Sequence, residues 1–199
     1  MAAAGPGTRQ PTGRKDARRN RERLLTAAEA AFAREGVSAS LNDIARTAGV
    51  GNVTLYRHFP TRQALLEALL GESLRSLRAQ SDELLAAGDP WEGLELWLHR
   101  AVDHAAAYRG LVETLMDAVT DPTSELYATC RDVRDGGAQL LARAQQAGAA
   151  ETGVDPTTLY SLIAATAWAI ERTPEHREQL LAVTVNGLRD RSASGPGPA

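Results

Sequence analysis

The stretch from Leu41 to Phe59, LNDIARTAGVGNVTLYRHF, restricts what this chain can fold into more than any other. Leu41, Ile44, Ala45 and Ala48 stand at i, i+3, i+4 and i+7, which makes one apolar face of a short helix. Ser40 is positioned to cap the first turn of that helix, and Asp43 stands where a capping box has its acid. Gly49 ends the helix, because the closing turn needs a residue that tolerates positive φ. A second short helix is expected from about Asn52 to Phe59, stopped by Pro60. Two short helices across a glycine-containing turn form a helix-turn-helix, whose second helix is sized for the DNA major groove.

The side chains of that second helix fit such a role. Thr54, Tyr56, Arg57 and His58 offer hydroxyl, guanidinium and imidazole donors within about one and a half turns, while Leu55 and Phe59, at i and i+4, anchor the other side. A helix that merely covered a core would show Glu and Lys instead. The string AGVGNVTLYRHFPTRQALL resembles the signature of the TetR/AcrR family of bacterial transcriptional regulators, over roughly Arg21 to Leu70. The resemblance implies an all-α protein: an N-terminal three-helix DNA-binding domain with a helix-turn-helix, then a helical domain for effector binding and dimerisation. It implies no enzyme and no cofactor. By the family pattern Thr54, Tyr56, His58 and Arg62 hold phosphates and Asn52, Val53 and Arg57 lie nearest base edges of double-stranded operator DNA, with Arg18, Arg19 and Ser40 completing the contact set. Two positions depart from the pattern. Gly51 stands where a Ser usually caps the recognition helix, and Val53 stands where a small residue is usual. Arg62 replaces a common Lys, which keeps the charge and adds a planar fork.

A net charge of −3 seems to speak against DNA, but its distribution reverses that. Residues 1–65 hold eleven Lys and Arg against five Asp and Glu, a balance of +6; the remaining residues hold eleven against twenty, a balance of −9. A basic module and an acidic body are the expected consequence. With one cysteine, Cys130, no disulfide within the chain is possible, which fits a reducing compartment. No apolar run approaches the roughly 20 residues of a membrane span, and the opening residues lack the apolar core of a secretion signal. A cytoplasmic protein without a membrane partner is expected.

In chain order, residues 1–19 read as a disordered basic arm in which Arg9, Arg14, Lys15, Arg18 and Arg19 either meet phosphate or merely solvate the terminus. Residues 20–65 read as the DNA-binding domain, its first helix from about Asn20 with Leu24, Leu25, Ala28 and Phe32 on one face until Gly36. Residues 66–191 read as the effector-binding and dimerisation domain, and Ser192 to Ala199 as a disordered tail. A long helix from Thr61 to about Ala87 bridges the two domains, with Gly71 as its weak point; Gly88-Asp89-Pro90 breaks it. Further helices are expected from Trp91 to near Gly110, from Leu111 to Val119, and from about Ser124 to Gly148, where Gly136-Gly137 invites a kink or a split. Two last helices carry the stripes Leu159, Leu162, Ile163, Thr166, Ala167, Ile170 and Leu181, Thr184, Val185, Leu188. They are either core of the monomer or, as the family resemblance implies, the pair that meets its mate in a homodimer.

The resemblance puts a small-molecule pocket in the body. Its candidates are Trp91, Trp97, His104, Tyr108, Leu111, Leu115, Met116, Tyr127, Cys130 and Trp168, each of them equally readable as plain core. Such a set, with few convergent charges, anticipates an apolar or aromatic effector. Trp168 lies off the Leu159 to Ile170 stripe and faces either the pocket or a dimer partner. His99, Asp103 and His104 sit close on one helix, but zinc needs three or four convergent ligands and no metal site is expected. No nucleophile with a base and no phosphate-binding glycine loop is found. The competing class, a helical adaptor, would account for the helices while leaving Tyr56, Arg57, His58 and the basic N-terminal region without a purpose.

Overall fold

A computed structural model of the chain describes residues 12–86 and 88–190. The expectations for residues 1–11, Arg9 among them, for Ala87 as the end of the long helix, and for Ser192 to Ala199 lie outside the described residues. The chain divides into two compact units, Met1–Leu69 and Leu70–Ala199. The described residues are α-helical apart from a 3-10 turn, short loops and one isolated bridge between Ala150 and Arg189.

In the first unit, α1 (Thr12–Glu35) packs on α2 (Leu41–Thr47), and α2 on α3 (Asn52–His58). The core between them holds Leu24, Ala28, Phe32, Ile44, Ala45, Leu55 and Phe59, all buried. The expected arm to residue 19 is corrected here, since α1 already begins at Thr12 and carries Arg14, Lys15, Arg18 and Arg19 on a helix. Apolar spacing could not reveal this turn, because nothing there packs on a core. Arg, Lys and Ala are good helix formers, and Arg18 pairs with Glu22 one turn on at 3.3 Å.

The α2–α3 turn closes as its glycine requires. Ser40 caps α2, its Oγ accepting from the Asp43 N–H at 3.3 Å, while the Asp43 carboxylate pairs with Arg46 at 2.7 Å. Past the helix end, Gly49 N–H donates to Arg46 O and Val50 N–H to Ala45 O, both at 3.0 Å, with Gly49 at φ 65°. A side chain at Gly49 would be strained by that φ alone.

α4 (Arg62–Ala86) is one uninterrupted helix that contributes residues to both units, and Gly71 does not interrupt it. Arg62 in its first turn donates to Val37 O at 2.9 Å and Ala39 O at 2.6 Å, which ties the α1–α2 loop to the start of the helix.

The second unit packs α5 (Pro90–Thr114) against α7 (Glu125–Gln146) and α8 (Pro156–Arg172), and α8 against α9 (Arg177–Leu188). Asp89 caps α5, accepting from Trp91 N–H at 2.9 Å and Glu92 N–H at 3.0 Å. Three boundaries differ from those expected. α5 runs through Gly110 to Thr114, so the short α6 (Met116–Thr120) begins five residues later than Leu111. A 3-10 turn, Pro174–His176, precedes α9.

The third difference is α7, which runs as one helix from Glu125 to Gln146 and does not split at Gly136-Gly137. Each glycine marks a close approach instead. A Cβ on Gly136 would strike Ser81 of α4, and one on Gly137 would strike the Trp97 ring and the Tyr160 hydroxyl. Arg143, nearly two turns further, donates to Leu84 O in the last turn of α4 at 3.0 Å and to Gly88 O just beyond the helix at 2.8 Å.

Candidate nucleic-acid interface and effector cavity

The display on α3 follows from its length. Seven residues allow one core contact, and Leu55 supplies it. Everything else is pushed outward: Val53 is 85% and Tyr56 47% exposed, Asn52 and Arg57 are exposed, and Thr54 is half-buried. A single exposed apolar side chain such as Val53 is ordinary on a helix surface and assigns no role by itself. Gly51 caps α3 without a side-chain hydrogen bond and a Cβ there would meet nothing, so the missing Ser is not a steric necessity.

His58 is less available than its neighbours. Its Nε2 is buried without a hydrogen-bond partner among the described residues, its ring lies 6.2 Å from that of Phe59, and Arg21 stands over Phe59 at 5.8 Å. Burial, then the charges of Arg57 and Arg21, hold the imidazole below its ordinary pKa. Arg62 is occupied by the two loop carbonyls already described, and Ser40 by its cap. Arg18 and Arg19 are exposed on α1.

Within the second unit lies a cavity of about 310 Å³. Each helix wall repeats one spacing. Trp97, Ala101, His104 and Ala105 come from α5; Cys130, Val133 and Arg134 from α7; Tyr160, Ile163, Ala164 and Ala167 from α8. Leu70, Leu74 and Leu77 of α4, Val112 of α5 and Val119 of α6 complete it. Trp97 and Tyr160 meet edge to face, with ring centres 6.1 Å apart, over the backbone of Gly137. The Tyr160 hydroxyl donates toward Arg134 O at 2.8 Å and Val133 O at 3.2 Å, and burial pushes its pKa up. His104 stacks on Tyr108 at 4.8 Å, and burial lowers its pKa to about 4, so the imidazole is neutral at physiological pH.

Only Trp97, His104 and Cys130 of the expected pocket set line this cavity. Trp91, Leu111 and Leu115 are buried elsewhere in the core, Trp91 beneath the Arg189 guanidinium at 5.2 Å. Met116 is exposed, Tyr127 is half-buried outside the lining, and Tyr108 stacks on His104 without belonging to the lining. Trp168 points away: it is 48% exposed, with Arg172 packed on its ring at 4.1 Å. The pKa of the Cys130 thiol is raised by burial, against a weaker opposing pull from Arg134, which favours its protonated form. Most of the lining was not anticipated from the sequence, and Tyr160 is the aromatic residue among those missed. Its spacing to Ile163, Ala164 and Ala167 was the available signal.

The stripe assigned to dimer contact is corrected as well. Leu159, Ile163, Thr166, Ala167, Ile170, Leu181, Val185 and Leu188 are buried inside the monomer, and Ile163 and Ala167 line the cavity. Leu162 and Thr184 are half-buried; the Thr166 and Thr184 hydroxyls bond each other at 2.8 Å, which ties α8 to α9. Their opposite side exposes Ala165, Trp168 and Val183, the last at 68%. Asp103, once a conceivable metal ligand, is held by Arg177 of α9 at 2.7 Å. No cluster of three or more potential metal ligands occurs among the described residues, nor is any described helix long and apolar enough to cross a membrane.

Comparison with known proteins agrees with both halves of this description. The model of the bacterial regulatory proteins of the tetR family matches residues 24–69, and that of the SbtR-like transcriptional regulator C-terminal domain matches residues 89–190. A TetR transcriptional regulator from Streptomyces coelicolor is 32% identical in sequence, with 86% of this chain and 99% of that one covered and a TM-score of 0.72. A TetR transcription regulatory protein from Mycobacterium vanbaalenii is 35% identical over 88% of this chain and 98% of its own, with a TM-score of 0.68. An HTH-type transcriptional regulator from Staphylococcus aureus is 32% identical over 80 residues, so this chain spans only 42% of that curated relative's length. An amino-terminal match and a longer carboxy-terminal one, together with these full-length structural relatives, establish that the chain belongs to the TetR family of bacterial transcriptional regulators.

Proposed function

We propose that the protein is a homodimeric repressor that grips a pseudo-palindromic operator through α3 and releases it when a small molecule enters the cavity of the second unit. The observation that carries the DNA reading is the display on α3, where one anchor, Leu55, leaves Asn52, Val53, Tyr56 and Arg57 facing outward. Asn52, Val53 and Arg57 lie at base edges in this reading, while Thr54, Tyr56 and His58 hold phosphates and Arg18 and Arg19 add backbone contacts from α1. Arg62 acts one step back, as a positioning residue, because its guanidinium is bonded to Val37 and Ala39 carbonyls. Repression rather than activation follows the family resemblance.

Dimerisation is proposed through the outer side of α8 and α9, where Ala165, Trp168 and Val183 are exposed, rather than through the buried stripe. A two-fold contact of this kind presents the same patch on both protomers and spaces two α3 helices by about one turn of DNA or a simple multiple. Val183→Glu would then halve the mass seen by light scattering and lower operator affinity together. The route from cavity to DNA runs in this reading along α4, since Leu70, Leu74 and Leu77 line the cavity and the same helix begins at Arg62. A gel shift across genomic fragments tests the whole: one fragment should bind far more tightly than random DNA, with affinity falling by about 0.9 log units per log unit of salt for each phosphate neutralised. Equal binding to every fragment would refute it.

A further inference from the structure

Two residues of the cavity lining each carry a buried polar atom that no described residue satisfies. Trp97 is fully buried, yet its Nε1–H finds no hydrogen-bond partner among the described residues, and neither does the buried Nε2 of His104. Trp91 Nε1 and His58 Nε2, away from the cavity, are also buried without a partner among the described residues, but other polar groups near the cavity are paired: Tyr160 donates to two carbonyls, Thr129 Oγ1 to Glu125 O at 2.9 Å, and Ser81 Oγ to Arg78 O at 2.7 Å. The Trp97 and His104 nitrogens belong to residues that line the cavity from α5, at i and i+7, on one side of the helix and about 10 Å apart along its axis. Trp97 offers only a donor, whereas a neutral imidazole nitrogen either donates or accepts.

The remaining lining says what such a ligand is not. Among the described residues no Asp or Glu lines the cavity, so none of them offers a cation a counter-charge there. Arg134 is the one ionised side chain among the described lining residues, and it is exposed to solvent. An anion held by Arg134 would leave the two interior nitrogens as they are. We propose that the cavity takes an uncharged, elongated, mainly apolar molecule whose carbonyl-type acceptor meets Trp97 Nε1–H and whose second neutral polar group meets His104 Nε2. The proposal rests on the effector reading of this cavity and adds the chemical class.

Three probes on the full-length protein test it. Prodan is a neutral naphthyl ketone whose emission shifts to the red when its carbonyl accepts a hydrogen bond; the matching naphthoate carries a carboxylate instead, and the matching dimethylaminonaphthalene lacks the ketone. Prodan should bind with emission to the red of its emission in an apolar aprotic solvent, and the other two should bind about tenfold more weakly. Trp97→Phe, with folding verified by circular dichroism, should weaken prodan about tenfold and move its bound emission to the blue. His104→Phe should weaken it several-fold; the ketone-free probe carries the same test on unmutated protein if either variant misfolds. Tight naphthoate binding that only Arg134→Gln reduces would overturn the class while leaving the cavity as the effector site. Failure of all three probes to bind, or prodan binding indifferent to the ketone and to Trp97, would also overturn it. Prodan that binds through Trp97 yet leaves operator DNA bound would uphold the ligand class and refute the effector reading.

Discussion

α3 and the wall of the cavity make opposite demands on their side chains. α3 is seven residues on one anchor and leaves its other side chains largely uncovered, so that even Val53 stands 85% exposed. The cavity draws residues from five helices, from Leu70 to Ala167, which surround it. A displayed surface needs only a correct local helix. An enclosed one needs five helices to stand at the right separations, which small residues set: Gly136 and Gly137 are where neighbouring helices come too close for any side chain. The comparison teaches that substitutions on α3 should change binding with little effect on stability, while those at the cavity should change both.

The largest effect expected is at Gly137. Gly137→Val puts carbon where the Trp97 ring and the Tyr160 hydroxyl stand, and should lower unfolding stability by about 3 kcal/mol, as overpacking of a closed core does. Denaturant titration checks it; a loss below about 1 kcal/mol would mean that the wall yields and the contrast with α3 is weaker than argued.

A comparable effect, reached by pH, comes from His104. Its folded pKa of about 4 lies below the ordinary 6.5, so as pH falls below 6.5 the unfolded chain takes up the proton first and unfolding is favoured. The loss grows until pH reaches about 4 and amounts to about 3 kcal/mol, lessened by whatever solvent reaches the ring. Unfolding curves at about pH 7 and pH 4.5 should therefore converge for His104→Gln relative to the parent protein. An unchanged difference would show that other groups carry the pH dependence.

A smaller change, on binding alone, is expected at α3. Tyr56→Ala should weaken all DNA sequences about tenfold, near 1.4 kcal/mol, with thermal stability unaltered because the ring is 47% exposed. Asn52→Ala should instead change which operators are preferred. A Tyr56 variant that loses stability as well would erase the distinction between display and enclosure.

The smallest is Gly51→Ser. A Cβ there meets nothing, and a hydroxyl would cap the free N–H groups of α3, so stability should rise by a few tenths of a kcal/mol, roughly the difference between Gly and Ser caps. A scanning calorimetry shift of the opposite sign would mean that the cap residue is constrained by something other than the helix end.

Much of this was legible before any coordinates. The stop at Gly49, the cap at Ser40 and the anchor at Leu55 are local events, each decided within about one turn by φ preference, side-chain capping or 3.6-residue spacing. The run from Arg14 to Arg19 was misread for a related reason: apolar periodicity is silent on a turn that packs against nothing, although its residues favour helix strongly. Gly136-Gly137 was misread from the other direction, because propensity counts the cost of glycine in a helix and not the helix packing that glycine permits.

The amino-acid order by itself therefore determined the α2–α3 turn, the outward face of α3 and the family, since all three depend on neighbours in sequence. Which side of α8 is core, that Ile163 and Ala167 face a cavity while Trp168 faces water, and that Tyr160 closes that cavity with Trp97, were decided only by the tertiary structure. A helix with apolar residues on more than one side has no preferred face until another helix covers one of them. The two apolar sides of α8 are told apart only by the rotation at which α5, α7 and α9 pack around it.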